Sequence, residues 1–259
     1  MTTSTRRQIL TAVVVVLLFA LGYQRRMVWS EERPLSGVGG DALQYVQLAA
    51  SLERTRTFSF DGVQPIWTRL PGYPLFLWAT TRHSPAAALS APDSQRSEQL
   101  RAFLRSCVRA NLWVDCLLGG LIALMAWALG SNLYYSLLVL LIWMLQPWSM
   151  VFARHPLADG LSAALTACSF CLAQVAFRWR DRGVLSALLF LFGCIAAGLT
   201  SLVRPDGITL FPLLLLGIVL GPFRWAVRAR LALLLLLGFA MTSGVWLLRN
   251  QLQFGAPHV

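Results

Sequence analysis

The chain has 259 residues, 57% of them hydrophobic and 13% charged, with a mean hydropathy of +0.62. Soluble domains carry about 25% charged residues, so a soluble enzyme, a disordered tail and a secreted disulfide scaffold are excluded in favour of a polytopic membrane protein. The 22 basic against 11 acidic residues are all arginine, and in a membrane chain such residues set topology and touch lipid phosphates, so membrane lipid is the expected partner and nucleic acid is not.

A spanning helix needs about 20 mostly apolar residues, and charge-free stretches place seven. The first, Gln8–Gln24, follows Arg6 and Arg7, so residues 1–24 form an uncleaved anchor helix. Residues 25–105 form one large outer loop. Within it Asp41, Tyr45, Leu48 and Leu52 share a helical face, which predicts an amphipathic helix lying on the membrane surface. Arg69–Trp78 is a second interfacial element, too short and too proline-broken to span, and Ser84–Ser97 reads as a flexible stretch.

Residues 106–259 hold six further spans. Cys116–Ala153 is uncharged and too long for one pass, and Gly130-Ser131-Asn132 breaks it into a hairpin of two. Gly160–Phe177, Gly183–Val203, Gly207–Phe223 and Leu231–Leu248 follow. The expected fold class is all-α, a membrane helical bundle of about seven spans with interfacial helices in the first loop.

Arginines in short loops orient the bundle. Arg6, Arg7, Arg178, Arg180, Arg182, Arg224, Arg228 and Arg230 fall on one side, against Arg154, Arg204 and Arg249 on the other. The N-terminus is therefore expected in the cytoplasm and the large loop outside, in a bacterial cytoplasmic membrane. Cys107, Cys116, Cys168, Cys171 and Cys194 lie in or beside apolar runs. The CxxC spacing of Cys168 and Cys171 falls inside a predicted span without the setting of a redox motif, so all five read as small apolar residues.

Ionisable groups are nearly absent from the span interiors, whereas a proton-coupled transporter places carboxylates or histidines there. They gather instead at the outer ends: Asp41, Arg154 with His155, Asp159, Arg204 with Asp206, and Arg249 with Asn250. Each has a structural alternative. Asp41 and Gln44 are spaced for a helix cap, Asp159 suits a helix dipole after Pro156, and Asp206 in Arg-Pro-Asp-Gly suits a turn. Arg101, Arg105 and Arg109, one turn apart, suit lipid headgroups, and Asp115 a local pair at its span's outer end.

Gly39-Gly40-Asp41-Ala-Leu-Gln-Tyr45, then Arg69-Leu-Pro-Gly-Tyr-Pro-Leu-Phe-Leu, resembles the start of the C superfamily of glycosyltransferases, in the branch of protein O-mannosyltransferases and aminoarabinose transferases. His155-Pro-Leu-Ala-Asp159-Gly, Arg204-Pro-Asp-Gly207 and Arg249-Asn250 ahead of Phe254-Gly255 occur in matching order. The resemblance implies transfer of a sugar from a polyprenyl-phosphate carrier to an acceptor hydroxyl at the outer face. Asp41 matches the general base and Asp159 a second acidic position. Arg204, Arg154 and Arg69 are the expected phosphate ligands, with His155, Tyr45 and Arg249 completing the substrate-binding set. The lipid-linked sugar is substrate, and no cofactor is expected. Ala42 stands where the branch often carries a paired acid, so no metal site is assigned. Such enzymes usually continue beyond seven helices whereas this sequence ends at Val259, so a partner subunit supplying further helices is an expected companion. Two other readings stay open: a non-catalytic lipid-binding or assembly subunit, and a small transporter.

Overall fold

The computed structural model describes residues 3–31, 40–130, 132–179 and 183–257, and among them every regular element is a helix. A long α1 (Thr3–Glu31) is followed by three short helices, α2 (Asp41–Thr55), α3 (Gly72–Thr80) and α4 (Pro85–Ser90). Then come α5 (Asp93–Gly130), α6 (Leu133–Leu145), α7 (Trp148–Ala153), α8 (Asp159–Arg178) and α9 (Val184–Val203). A 3₁₀ turn over Pro205–Thr209 leads into α10 (Leu210–Leu220), and α11 (Trp225–Phe239) continues through a π-helical turn, Ala240–Gly244, into α12 (Val245–Phe254). Gly39, Ser131, Arg180 and Arg182 lie outside the described residues, as do the side chains of Arg6 and Arg7.

Five of these helices are long and apolar enough to cross a membrane: Leu10–Glu31, Glu98–Gly130, Asp159–Arg178, Val184–Val203 and Trp225–Phe254. The expectation of seven is met only in that two shorter apolar helices, Leu133–Leu145 and Pro205–Leu220, stand where the third and sixth spans were predicted. At 1.5 Å per residue, the 13 residues of α6 reach about 20 Å, against a hydrocarbon core of about 30 Å. Its apolar run goes on to Ala153, but Gln146 and Pro147 break it before α7. The apolar run is divided where predicted, α5 ending at Gly130 and α6 starting at Leu133, with the Asn132 side chain accepting from the Tyr134 amide at 2.9 Å to cap α6.

The loop boundaries shift at both ends. The first helix runs through Arg25 and Arg26 to Glu31, and α5 begins at Asp93 rather than after Arg105. The stretch predicted flexible contains α4, which Ser84 caps through the Ala87 amide at 2.9 Å. Glu53 of α2 accepts from the Ser84 hydroxyl at 2.7 Å and the Ala86 amide at 2.9 Å, tying α4 down.

The amphipathic helix is present but does not lie bare on lipid. Beside the predicted Asp41–Tyr45–Leu48–Leu52 face, α2 carries Ala42, Val46, Ala49 and Ala50, all buried. Val46 and Ala49 pack with Tyr73 and Leu77 of α3, Ala88 of α4, Phe103 and Cys107 of α5, Ala158 and Val203. Small side chains let α2 approach its neighbours on two faces, so the loop helices form a cap sealed onto the bundle by one shared core. Elsewhere, Cys194 and Ala197 of α9 join Ala173 of α8, Leu214 of α10 and Leu235 of α11 in a second core. All five cysteines are unbridged and four are buried, as small apolar fillers.

The membrane level is legible on α5. Its exposed stripe reads Arg101, Arg105, Arg109, then Trp113, Leu117 and Leu124. A helix face that turns from arginine through tryptophan to leucine passes from water to lipid near the tryptophan. Two residues earlier and on the buried side, Asn111 accepts from the Tyr73 hydroxyl at 3.2 Å and donates to the His155 carbonyl at 2.8 Å. The cap and the turn before α8 therefore sit level with this change from charged to apolar residues on α5.

Candidate functional site

Where α2 begins, the segment before α3 passes, and α9 ends, a cavity of about 250 Å³ opens, lined by Asp41, Tyr45, Trp67, Thr68, Arg69, Leu70, Val203, Arg204 and Pro205. Four of the eight residues singled out from sequence are in that lining. Local packing brings them together. Gly72, at the start of α3, sits so close to the end of α9 that a methyl group there would stand 2.7 Å from the Leu202 carbonyl oxygen. This contact carries Arg69 to within the cavity that Arg204 lines.

Arg204 is aimed by the turn that follows it. Pro205 starts the 3₁₀ turn, and Gly207 folds back onto α9, where a methyl group would come within 2.5–2.7 Å of the Thr200 and Ser201 backbone. Gly207→Ala is expected to displace this turn at a cost of about 1–3 kcal/mol. Comparison of thermal midpoints and of Arg204-dependent ligand binding between the variant and the parent checks it.

The charges form two linked pairs. Arg69 donates to Asp41 at 2.6 Å through one Nη and to the Gln44 side chain at 2.5 Å through Nε. Arg204 pairs with Asp159, at the first turn of α8, and with Asp206 at 3.1 Å. Tyr45 stands between them, close enough for Asp41, Arg69, Arg204 and Asp159 all to act on it. Burial, and then the Asp41 charge, push its phenol above the ordinary value, so the hydroxyl remains a neutral donor. Hydrogen bonding to Asp206 comes first among the causes that raise the Arg204 guanidinium, so its positive charge is secure at any physiological pH. Tyr73 packs edge-on beneath Tyr45 with centroids 5.1 Å apart.

The structural alternatives drawn from sequence fare differently. Gly40, not Asp41, is the N-cap of α2, and neither that cap nor the one at Ala158 makes a side-chain hydrogen bond. The Asp41 carboxylate is turned to Arg69 instead, while Asp159 stands in the first turn of α8, as the dipole reading has it, and also pairs with Arg204. Asp206 does serve its turn, its carbonyl accepting from the Thr209 hydroxyl at 2.7 Å.

Three sequence-predicted ligands do not line the cavity. The Arg154 guanidinium stacks on Trp29 of α1, 5.4 Å from the ring centroid. The backbone of His155 serves Asn111, and its side chain is half-buried outside the cavity. Arg249 works one step back: it lies over Trp246 at 4.5 Å and Phe254 at 5.2 Å, and donates to the Ile66 carbonyl at 2.9 Å. Ile66 immediately precedes the cavity-lining Trp67. Arg249→Ala is expected to loosen residues 63–70 by about 1–2 kcal/mol, read as faster amide hydrogen exchange there with little change in α8.

The lining includes Trp67, whose ring the sequence suggests for stacking on a sugar or prenyl chain, whereas sequence reasoning missed Gln44 as the second ligand of Arg69. Gln44 lies one turn after Asp41, a spacing that would have found it. It also missed a buried cluster outside the cavity. Arg26, wholly enclosed, donates to Asp115 at 2.7 Å and to the carbonyls of Met144 at 2.8 Å and Trp143 at 2.7 Å. The Ser149 hydroxyl completes Asp115 at 3.0 Å. The helix interiors thus hold an ion pair that composition alone did not foretell, and Asp115 does pair as expected, though across to α1.

Among the described residues, no group of three or more His, Cys, Asp or Glu side chains comes together to hold a metal ion. Comparison with protein families, with curated proteins and with solved structures finds no match to this chain.

Proposed function

We propose that the chain is a membrane glycosyltransferase that moves a sugar from a polyprenyl-phosphate carrier to an acceptor hydroxyl at the membrane surface. The observation that carries this reading is the single cavity in which the Asp41 carboxylate meets the Arg69 and Arg204 guanidiniums. In this reaction Asp41 accepts the proton of the acceptor hydroxyl as its oxygen attacks the anomeric carbon. The bond from that carbon to the phosphate oxygen breaks on the opposite face, and the electron pair leaves with the lipid phosphate. Arg204 and Arg69 neutralise that charge through forked hydrogen bonds. Asp159 and Asp206 hold Arg204 in place until the phosphate arrives, and the Tyr45 hydroxyl donates to the sugar or phosphate.

Several features support the setting. The cavity lies just below the ~300–1,000 Å³ of typical small-molecule pockets, room for one sugar ring with the rest outside. Its level, beside the Asn111–Trp113 turn of α5, is where a lipid phosphate sits. With α6 and the Pro205–Leu220 helix counted as passes, the bundle has seven, the N-terminus lies in the cytoplasm of a bacterium and the cavity faces outward.

A second reading, a lipid-binding subunit without turnover, is favoured by one observation: Arg69 and Arg204 each already hold a carboxylate partner. The two separate in proteoliposomes loaded with a radiolabelled polyprenyl-phosphate sugar. Label passing to an acceptor supports transfer. Binding of the donor with no turnover, across acceptors, supports the subunit.

A further inference from the structure

A second cluster of cations stands on the outer face of α5, sharing no residue with the cavity. Tyr23 of α1 stacks on Trp113 of α5, ring centroids 4.5 Å apart. Arg109, one turn before Trp113, pairs with Glu31 of α1 at 3.9 Å. Two helices, α1 and α5, therefore meet where α5 turns from charged to apolar. Arg105 and Arg109 are exposed, and the only ion pair that either makes among the described residues is that of Arg109 with Glu31, both side chains more than half exposed. So loose a pair leaves most guanidinium donors available.

We infer that Arg105 and Arg109, with Tyr23 and Trp113, bind the phosphate of an anionic membrane phospholipid whose chains run down the apolar face of α5. The occupant is an amphiphile because the stripe below the arginines is itself exposed and apolar, at Trp113, Leu117 and Leu124. Heights along the helix sort the arginines. At about 1.5 Å per residue, Arg109 stands roughly 6 Å above Trp113, Arg105 roughly 12 Å and Arg101 roughly 18 Å. The headgroup layer is only about 5–8 Å deep on each side. Arg109 lies within it, Arg105 reaches down to it along its own stem, and Arg101 stands clear.

The test uses the full chain purified in mild detergent, with bound lipid counted by native mass spectrometry. Phosphatidylglycerol and phosphatidylcholine of matched chains are offered in competition. The expected result is preferential retention of phosphatidylglycerol, lowered about tenfold in an Arg105→Gln, Arg109→Gln double variant and unchanged in Arg101→Gln. Millimolar inorganic phosphate should not displace it. Equal retention of the two lipids, or full retention by the double variant, overturns the site. An equal loss in Arg101→Gln overturns it in favour of diffuse surface charge, and displacement by inorganic phosphate overturns the lipid assignment in favour of a free-phosphate site.

Discussion

Asp41→Asn is expected to lower sugar transfer by about 10²–10⁴-fold, the usual contribution of a positioned general base, while leaving the fold intact. The amide keeps the size of the carboxylate and still offers an oxygen to Arg69, but it cannot take the acceptor proton. The side chain of Asp41 is 54% exposed, and the ion pair it gives up is worth no more than about 1 kcal/mol in such a setting. The thermal midpoint should therefore hardly move. Arg204→Ala provides the contrast. It removes the proposed phosphate ligand, so the apparent affinity for the lipid donor should fall along with the rate. Turnover by Asp41→Asn at the parental rate, with the donor bound normally, would show that the carboxylate is not the base.

The largest stability effect is expected far from the cavity, at Arg26. This guanidinium is fully enclosed, and it joins four helices by pairing with Asp115 of α5, capping the carbonyls of Trp143 and Met144 at the end of α6, and sharing Asp115 with Ser149 of α7. Arg25 adds a hydrogen bond to the Leu145 carbonyl at 2.5 Å. Arg26→Met leaves a carboxylate without its cation in the bundle, at a cost of about 3–5 kcal/mol. Two α6 carbonyls lose a donor as well. Adding Asp115→Leu removes the uncompensated charge, so the double variant should recover part of the loss. It stays below the parent, because the orphaned carbonyls still cost about 1–3 kcal/mol. Thermal midpoints in one detergent should rank parent, then double variant, then Arg26→Met. A single variant as stable as the parent would mean that water reaches Asp115 and the cluster holds nothing together.

The consequence for the site is indirect but physical. With α6 only 13 residues long and α7 six, that corner of the bundle has little apolar length with which to seat itself. Arg26 and Asp115 provide polar fastening there, and Arg154 leaves α7 to stack on Trp29 of the same α1. An arginine predicted to bind substrate is thus engaged in holding two helices together.

The amino-acid sequence by itself determined the class, because 57% hydrophobic residues in charge-free runs leave a chain no soluble alternative. It also located the long helices through those runs, and it singled out Asp41, Tyr45, Arg69 and Arg204 from charges stranded at helix ends. Only the tertiary structure decided the rest. Hydropathy along the chain does not show that Pro147 cuts the third apolar stretch short. The faces of α2 both carry apolar side chains, so periodicity could not say whether lipid or protein would cover them. Arg26 and Asp115 lie 89 positions apart, and Asp41 and Arg69 lie 28 apart. Pairings at such separations depend on which helices touch, and that is set by small-residue contacts such as Gly72 against Leu202 and Gly207 against Thr200. Charge tells which residues want partners, whereas close packing of backbones decides which partners they meet.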